Sequence, residues 1–138
     1  DFQPKPMPMT GEARTIYQGR KFGDDHVLRC LPAGLPRIFG SPYPMQVLDS
    51  GDHYLMVFMQ DNTPRRVWMD GRNPPAEQPP TSMGFSKGQW EDRTLVIETT
   101  MLTPGWLDGS GYPMSGGNDT RIGERWTVAA DGLTITIS

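Results

Sequence analysis

Apolar and polar positions alternate most regularly from Arg93 to Thr100, RTLVIETT. Leu95, Ile97 and Thr99 fall on one face of such a strand, with Val96 and Glu98 on the other. The β-branched character suits a pleated, half-buried surface. Ser86 to Trp90 is the predicted partner strand, Glu91 and Asp92 the turn, and Trp90 the anchor of this hairpin to a core. A second alternating run, Arg121 to Ala129, places Ile122, Glu124, Trp126 and Val128 on one face. Asp131-Gly132 then turns the chain into Leu133 to Ile137. Upstream, Met45 to Asp49 and His53 to Gln60 flank the turn Ser50-Gly51-Asp52. HYLMVFMQ is apolar on both faces, which predicts a central, doubly covered strand. After Asp61-Asn62-Thr63-Pro64, a turn, Arg65 to Asp70 reads as a further strand. About seven short strands with little helical periodicity predict an all-β fold: an antiparallel sandwich, meander or small barrel.

The remaining segments are punctuated by turn residues. Residues 1–13 carry three prolines and no usable period, predicting an extended N-terminal arm ahead of a single β-rich domain, 14–138. Thr15 to Leu28 fits a short helix or an irregular stretch. Cys30 to Pro44, with four prolines and two glycines, is a structured loop or edge segment. Gly71 to Pro80 is a stiff, proline-rich excursion and hence a candidate contact surface. Met101 to Asn118 is a glycine-rich loop that Trp106 and Tyr112 would pack down.

Composition narrows the class. With 16 glycines and 14 prolines among 138 residues, long surface loops are expected. A net charge of −3 leaves no basic footprint for nucleic acid. No apolar run reaches the length of a membrane span, so membrane association would run through a partner. The one cysteine, Cys30, rules out an internal disulfide framework and reads as a small buried residue. The start at Asp1 and the close within an apparent strand suggest processing or partial coverage, with a signal peptide already removed.

Candidate chemistry is sparse. Gly84-Phe85-Ser86-Lys87-Gly88 matches G-x-S-x-G, but a nucleophile elbow needs a helix after the serine and a histidine downstream. Here a strand follows, and both histidines, His26 and His53, lie upstream. Their separation of 27 positions matches no metal motif. The carboxylates Asp70, Glu91, Glu98, Asp108 and Glu124 offer acid pairs on paper. Glu124, on the apolar face of its strand, needs a partner, for which Arg65, Arg66, Arg72 and Arg125 are the candidates. The methionines, Met56, Met59, Met69, Met83 and Met114 among them, are chiefly core filler, while the Met7-x-Met9 pair raises soft-metal binding as a minor alternative. No catalytic residue, metal site or cofactor is assigned.

Read together, Cys30 to Arg37, Pro42-Tyr43-Pro44, Arg66 to Arg72, Gly84 to Thr99, Trp106-Leu107-Asp108, Gly111 to Ser115 and Glu124-Arg125 resemble a widespread, functionally uncharacterised family of small secreted or periplasmic bacterial proteins. The resemblance implies a β-rich fold and an extracytoplasmic location. Histidines common in that pattern are replaced here by Pro74, Phe85 and Met114; three converging imidazoles, with Asp108 in support, would bind a metal or move protons. The chain therefore reads as a non-catalytic accessory or structural subunit of an extracytoplasmic bacterial protein assembly, with membrane association of that assembly left open. Met7, Met9, Pro74, Pro75 and Tyr112 are the candidate contacts with protein partners. The alternative is a ligand-binding or enzymatic barrel lined by Trp68, Phe85, Trp106 and Met114, with Asp108 and Glu124 as polar groups.

Overall fold

The computed structural model describes residues 7–117 and 120–138. Most regular structure is β: β1 (Met45–Asp49), β2 (His53–Phe58), β3 (Pro64–Trp68), β4 (Phe85–Glu91), β5 (Thr94–Thr100), β6 (Gly105–Trp106), β7 (Pro113–Met114), β8 (Ile122–Val128) and β9 (Ile135–Ile137). Seven of these form one sheet in the order β1-β2-β3-β4-β5-β8-β9, and β6 and β7 pair separately as a short ribbon. Val47 of one edge strand and Ile135 of the other line the same groove, so the sheet curls into a half-barrel. The fold is mostly rather than wholly β. Gly11–Gly19 forms helix α1, and three 3-10 turns follow at Phe22–Asp24, His26–Arg29 and Arg37–Gly40.

Thr10 caps α1 by accepting a hydrogen bond from the Ala13 amide at 3.2 Å, and Glu12 sits favourably in its first turn. Gly11 to Ala13, read as the end of the extended arm, thus belong to the helix. Residues 1–6 of that arm, and Asn118 at the end of the glycine-rich loop, lie outside the described residues.

Every neighbouring pair in the large sheet is antiparallel except β3 and β4, which run parallel with only Val67↔Ser86 and Trp68↔Lys87 in register. The proline-rich excursion makes this possible by carrying the chain back to the starting end of the sheet before β4 begins. Gly84, at φ +62, sets the entry into β4; a Cβ there would collide with the Thr100 carbonyl oxygen. The central hairpin forms as its alternation predicts, with the turn one residue later, at Asp92-Arg93, where Asp92 takes φ +54.

The core lies on the concave face. Met56, Phe58, Val67, Leu95, Ile97 and Trp126 project from the strands, and Ala33, Leu35, Ile38 and Leu102 close over them from the loops. Phe39 packs edge-on against Phe58 and Trp126. The Cys30–Pro44 segment therefore serves as the lid of the half-barrel, which explains its prolines: it contributes side chains without entering the ladder.

Three expectations need correction. Trp90 is 47% exposed, because burial along β4 fades toward the open end of the half-barrel; its indole donates to the Tyr54 hydroxyl at 3.2 Å. Cys30 is exposed, since it caps a 3-10 turn in the left-handed region at φ 59. β2 is not covered on both faces: Met56 and Phe58 are buried, while the intervening Leu55 and Val57 are only half-buried.

Candidate functional site

Ser86 settles the catalytic-elbow question by its surroundings. It is fully buried, and its hydroxyl lies 2.8 Å from that of Thr99 and accepts from Arg65 Nε at 3.0 Å. Arg65 is also the partner that buried Glu124 requires. Its two terminal nitrogens donate to the carboxylate at 3.0 and 2.5 Å, and one of them also donates to Thr99 at 2.8 Å. Trp126 Nε1 donates to Glu124 at 3.0 Å. The knot is 1% exposed at Arg65 and 5% at Glu124, and none of the described buried side-chain polar atoms lacks a partner. A bidentate, fully satisfied pair of this kind organises a core. The serine lies within a strand, enclosed by Arg65 and Thr99 with no histidine among its hydrogen-bond partners, so the motif is structural. Of the other arginines considered for Glu124, Arg72 pairs with Asp52 and Asp70, Arg125 pairs with Glu91, and Arg66 projects from the opposite face of β3.

The convex face carries a second polar cluster. Arg72 stacks over the Trp68 ring at 3.8 Å and donates to Asp70 at 2.5 Å and Asp52 at 2.8 Å. Asp52 also meets His53 Nδ1 at 2.6 Å, and the His53 ring lies 4.8 Å from Trp68. The hydrogen bond from His53, with Arg72 in support, holds the Asp52 carboxyl below the usual carboxylate range, and Arg72 does the same for Asp70. Next to this cluster, between the proline-rich excursion and the starts of β3 and β4, is a groove of about 420 Å³. Trp68, Phe85 and Pro75 line it together with Arg66 and Arg72.

Apart from this groove, α1 and the β6–β7 ribbon frame a larger open one of about 1040 Å³. Its walls are tied together by aromatic and cationic contacts. Tyr17 of α1 stacks on Tyr112 at 4.6 Å, and Arg20 lies over Tyr17 while donating to the Ser110 carbonyl at 2.9 Å. His26 meets Trp106 edge-on at 6.4 Å. Arg37 reaches toward the same indole and pairs with Asp25 at 2.7 Å, which lowers the Asp25 pKa. The glycine-rich loop is thus packed down, as its aromatics led one to expect. A third groove, about 170 Å³ and almost wholly apolar, opens at the end of the half-barrel between Val47, Tyr54, Trp90 and Ile135.

These grooves divide the candidate residues. Trp68 and Phe85 line the convex groove, Trp106 and Met114 the helix-side groove, and Asp108 a separate cleft of about 520 Å³ beside Arg37 and Tyr43, while Glu124 is sealed in the core. The structure therefore does not bring them into one pocket. Of the candidate partner contacts, Met7, Met9 and Tyr112 share the helix-side groove, Pro75 borders the convex one, and Pro74 is half-buried within its loop. The positions Phe85 and Met114, where the resembling pattern carries histidine, line different grooves. Arg65, one of the four arginines expected to meet Glu124, is the one that does so, whereas the part played by Thr99 in the knot and by Arg66 in the convex groove had no signal in the sequence. Among the described residues no three His, Cys, Asp or Glu side chains are placed to share a metal ion, and no helix is long and apolar enough to cross a membrane.

Compared with known proteins, the chain matches no family model, and no curated protein or solved structure is significantly similar to it.

Proposed function

We propose that this chain is a non-catalytic binding subunit of an extracytoplasmic assembly, seating an apolar segment of a protein partner in the helix-side groove. The observation that carries the reading is an apolar rim on a braced groove: Met7, Ile16 and Leu31 are 37%, 51% and 53% exposed along it. These apolar side chains share the groove with Glu12, Asp24, Arg29 and Arg121, the mixture of apolar anchors and polar surround that suits a protein-docking surface. Trp106 and Met114 supply half-buried anchors of the type that dominate protein interfaces. The stacked tyrosines and the Arg20 clamp fix the two walls relative to each other in advance, which lowers the ordering cost of binding. The extracytoplasmic placement rests on the resemblance to secreted and periplasmic proteins.

The test is native purification followed by hydrogen exchange. The expected result is a stoichiometric complex in which amides of 10–20 and 105–114 exchange more slowly than in the free chain. Ile16→Asp, at an exposed position, should abolish the complex while leaving the circular dichroism unchanged. A chain recovered alone, or a complex that protects other segments and tolerates Ile16→Asp, would overturn the reading.

A further inference from the structure

From the convex groove we infer a second binding site, separate from the partner groove, for a small organic carboxylate with a flat apolar body. Three observations converge on it. First, the residues lining the groove include two arginines and no carboxylate, in a chain whose net charge is −3. Asp70 and Asp52 neutralise Arg72 from just outside this lining, so the uncompensated cation that can attract an anion here is Arg66.

Second, the two arginines are not equivalent. Arg72 is occupied: Asp70 and Asp52 satisfy its guanidinium, and it lies flat on Trp68. It forms a fixed wall. Arg66 is exposed, projects from the convex face of β3 into the groove that Phe85 also lines, and makes no side-chain hydrogen bond or ion pair among the described residues. A guanidinium with its fork free is suited to a bidentate carboxylate.

Third, the floor of the groove is apolar and built. Phe85 is 5% exposed although it points away from the main core, because the proline-rich excursion folds back over it. Phe85, almost wholly covered, closes the floor, while Pro75 and the half-buried Trp68 present the apolar surface an aryl ring can pack against as its carboxylate reaches Arg66. The volume of about 420 Å³ falls within the range of small-ligand sites.

Benzoate is the probe, titrated into the full chain by calorimetry and followed at the Trp68 indole resonance. Saturable binding is expected, weakened about tenfold or more by Arg66→Gln, as loss of a charge-assisted bidentate contact implies. Benzyl alcohol, which keeps the ring and loses the charge, should bind about tenfold more weakly or worse, and so should acetate, which keeps the charge and loses the ring. Arg66 is exposed on a strand, so its variant should keep the native circular dichroism; Arg66→Lys, retaining charge without the fork, should fall between the two. Absence of saturation by benzoate, equal binding in Arg66→Gln, or equal binding of the neutral isostere would overturn the inference. Failure here would leave the helix-side groove untouched, since none of its lining residues is shared.

Discussion

Arg65 and Arg72 stand seven residues apart, each holds carboxylate partners, and each packs near an aromatic ring, yet they sit on opposite sides of the sheet. Arg65 is buried at the centre of the concave core, with Ser86, Thr99 and Glu124 consuming its donors. Arg72 is 41% exposed on the convex surface, with Asp52 and Asp70 similarly open to water. The same chemical pairing thus serves two ends. In the core, removing one member strands a charge that has no water to turn to. At the surface, solvent and salt screen the attraction, so the cluster orders a loop and a tryptophan rather than holding the fold.

The sharpest way to break the comparison is at the buried pair. Arg65→Met should cost about 3–5 kcal/mol, read as a fall in the urea midpoint, and pairing it with Glu124→Met should recover a large part of that loss. If the single variant is as mild as its surface counterpart, the knot is not buried in solution. Next in size, Ser86→Ala should cost about 1–3 kcal/mol by leaving Arg65 Nε unsatisfied. A serine-directed phosphonate should fail to label the folded wild type, since the hydroxyl has no exposure. The smallest effect belongs to the surface cluster. Arg72→Gln should lower the midpoint slightly at low salt and not at all near ~1 M salt, where screening reaches ~3 Å. Acid sharpens the same point. The Asp52 and Asp70 carboxyls are held below their ordinary values when folded, so their stabilising contribution is fully present above the ordinary carboxylate range. It fades as pH falls through that range toward the depressed values.

How much of this was legible follows from the range of the forces involved. The β4–β5 hairpin and the Asp131-Gly132 turn are set by neighbours in the chain, so alternation and turn residues revealed them. Glu124 on an apolar face revealed that a cation must meet it. Which arginine does so was hidden, because the answer depends on the parallel register of β3 and β4, and a loop of that length leaves the register open. Trp90 misled because an aromatic residue in a strand reads as core, whereas its exposure is decided by where the half-barrel ends. The convex groove was invisible for a related reason. Trp68 and Phe85 were singled out, but Arg66 joins them only once β3 and β4 lie side by side.

One feature of the topology gives the buried knot a further meaning. The sheet consists of two antiparallel ribbons, one of β1, β2 and β3 and the other of β4, β5, β8 and β9, and their backbones meet over just the two residue pairs Val67↔Ser86 and Trp68↔Lys87. Arg65 belongs to the first ribbon, and every side chain it grips, Ser86, Thr99 and Glu124, belongs to the second. It acts as a rivet across a short seam, so a pull that separates the ribbons must break its four side-chain hydrogen bonds together with the Trp90–Tyr54 bond and the shared apolar core, and side chains carry the joint where the hydrogen-bonded backbone is thinnest.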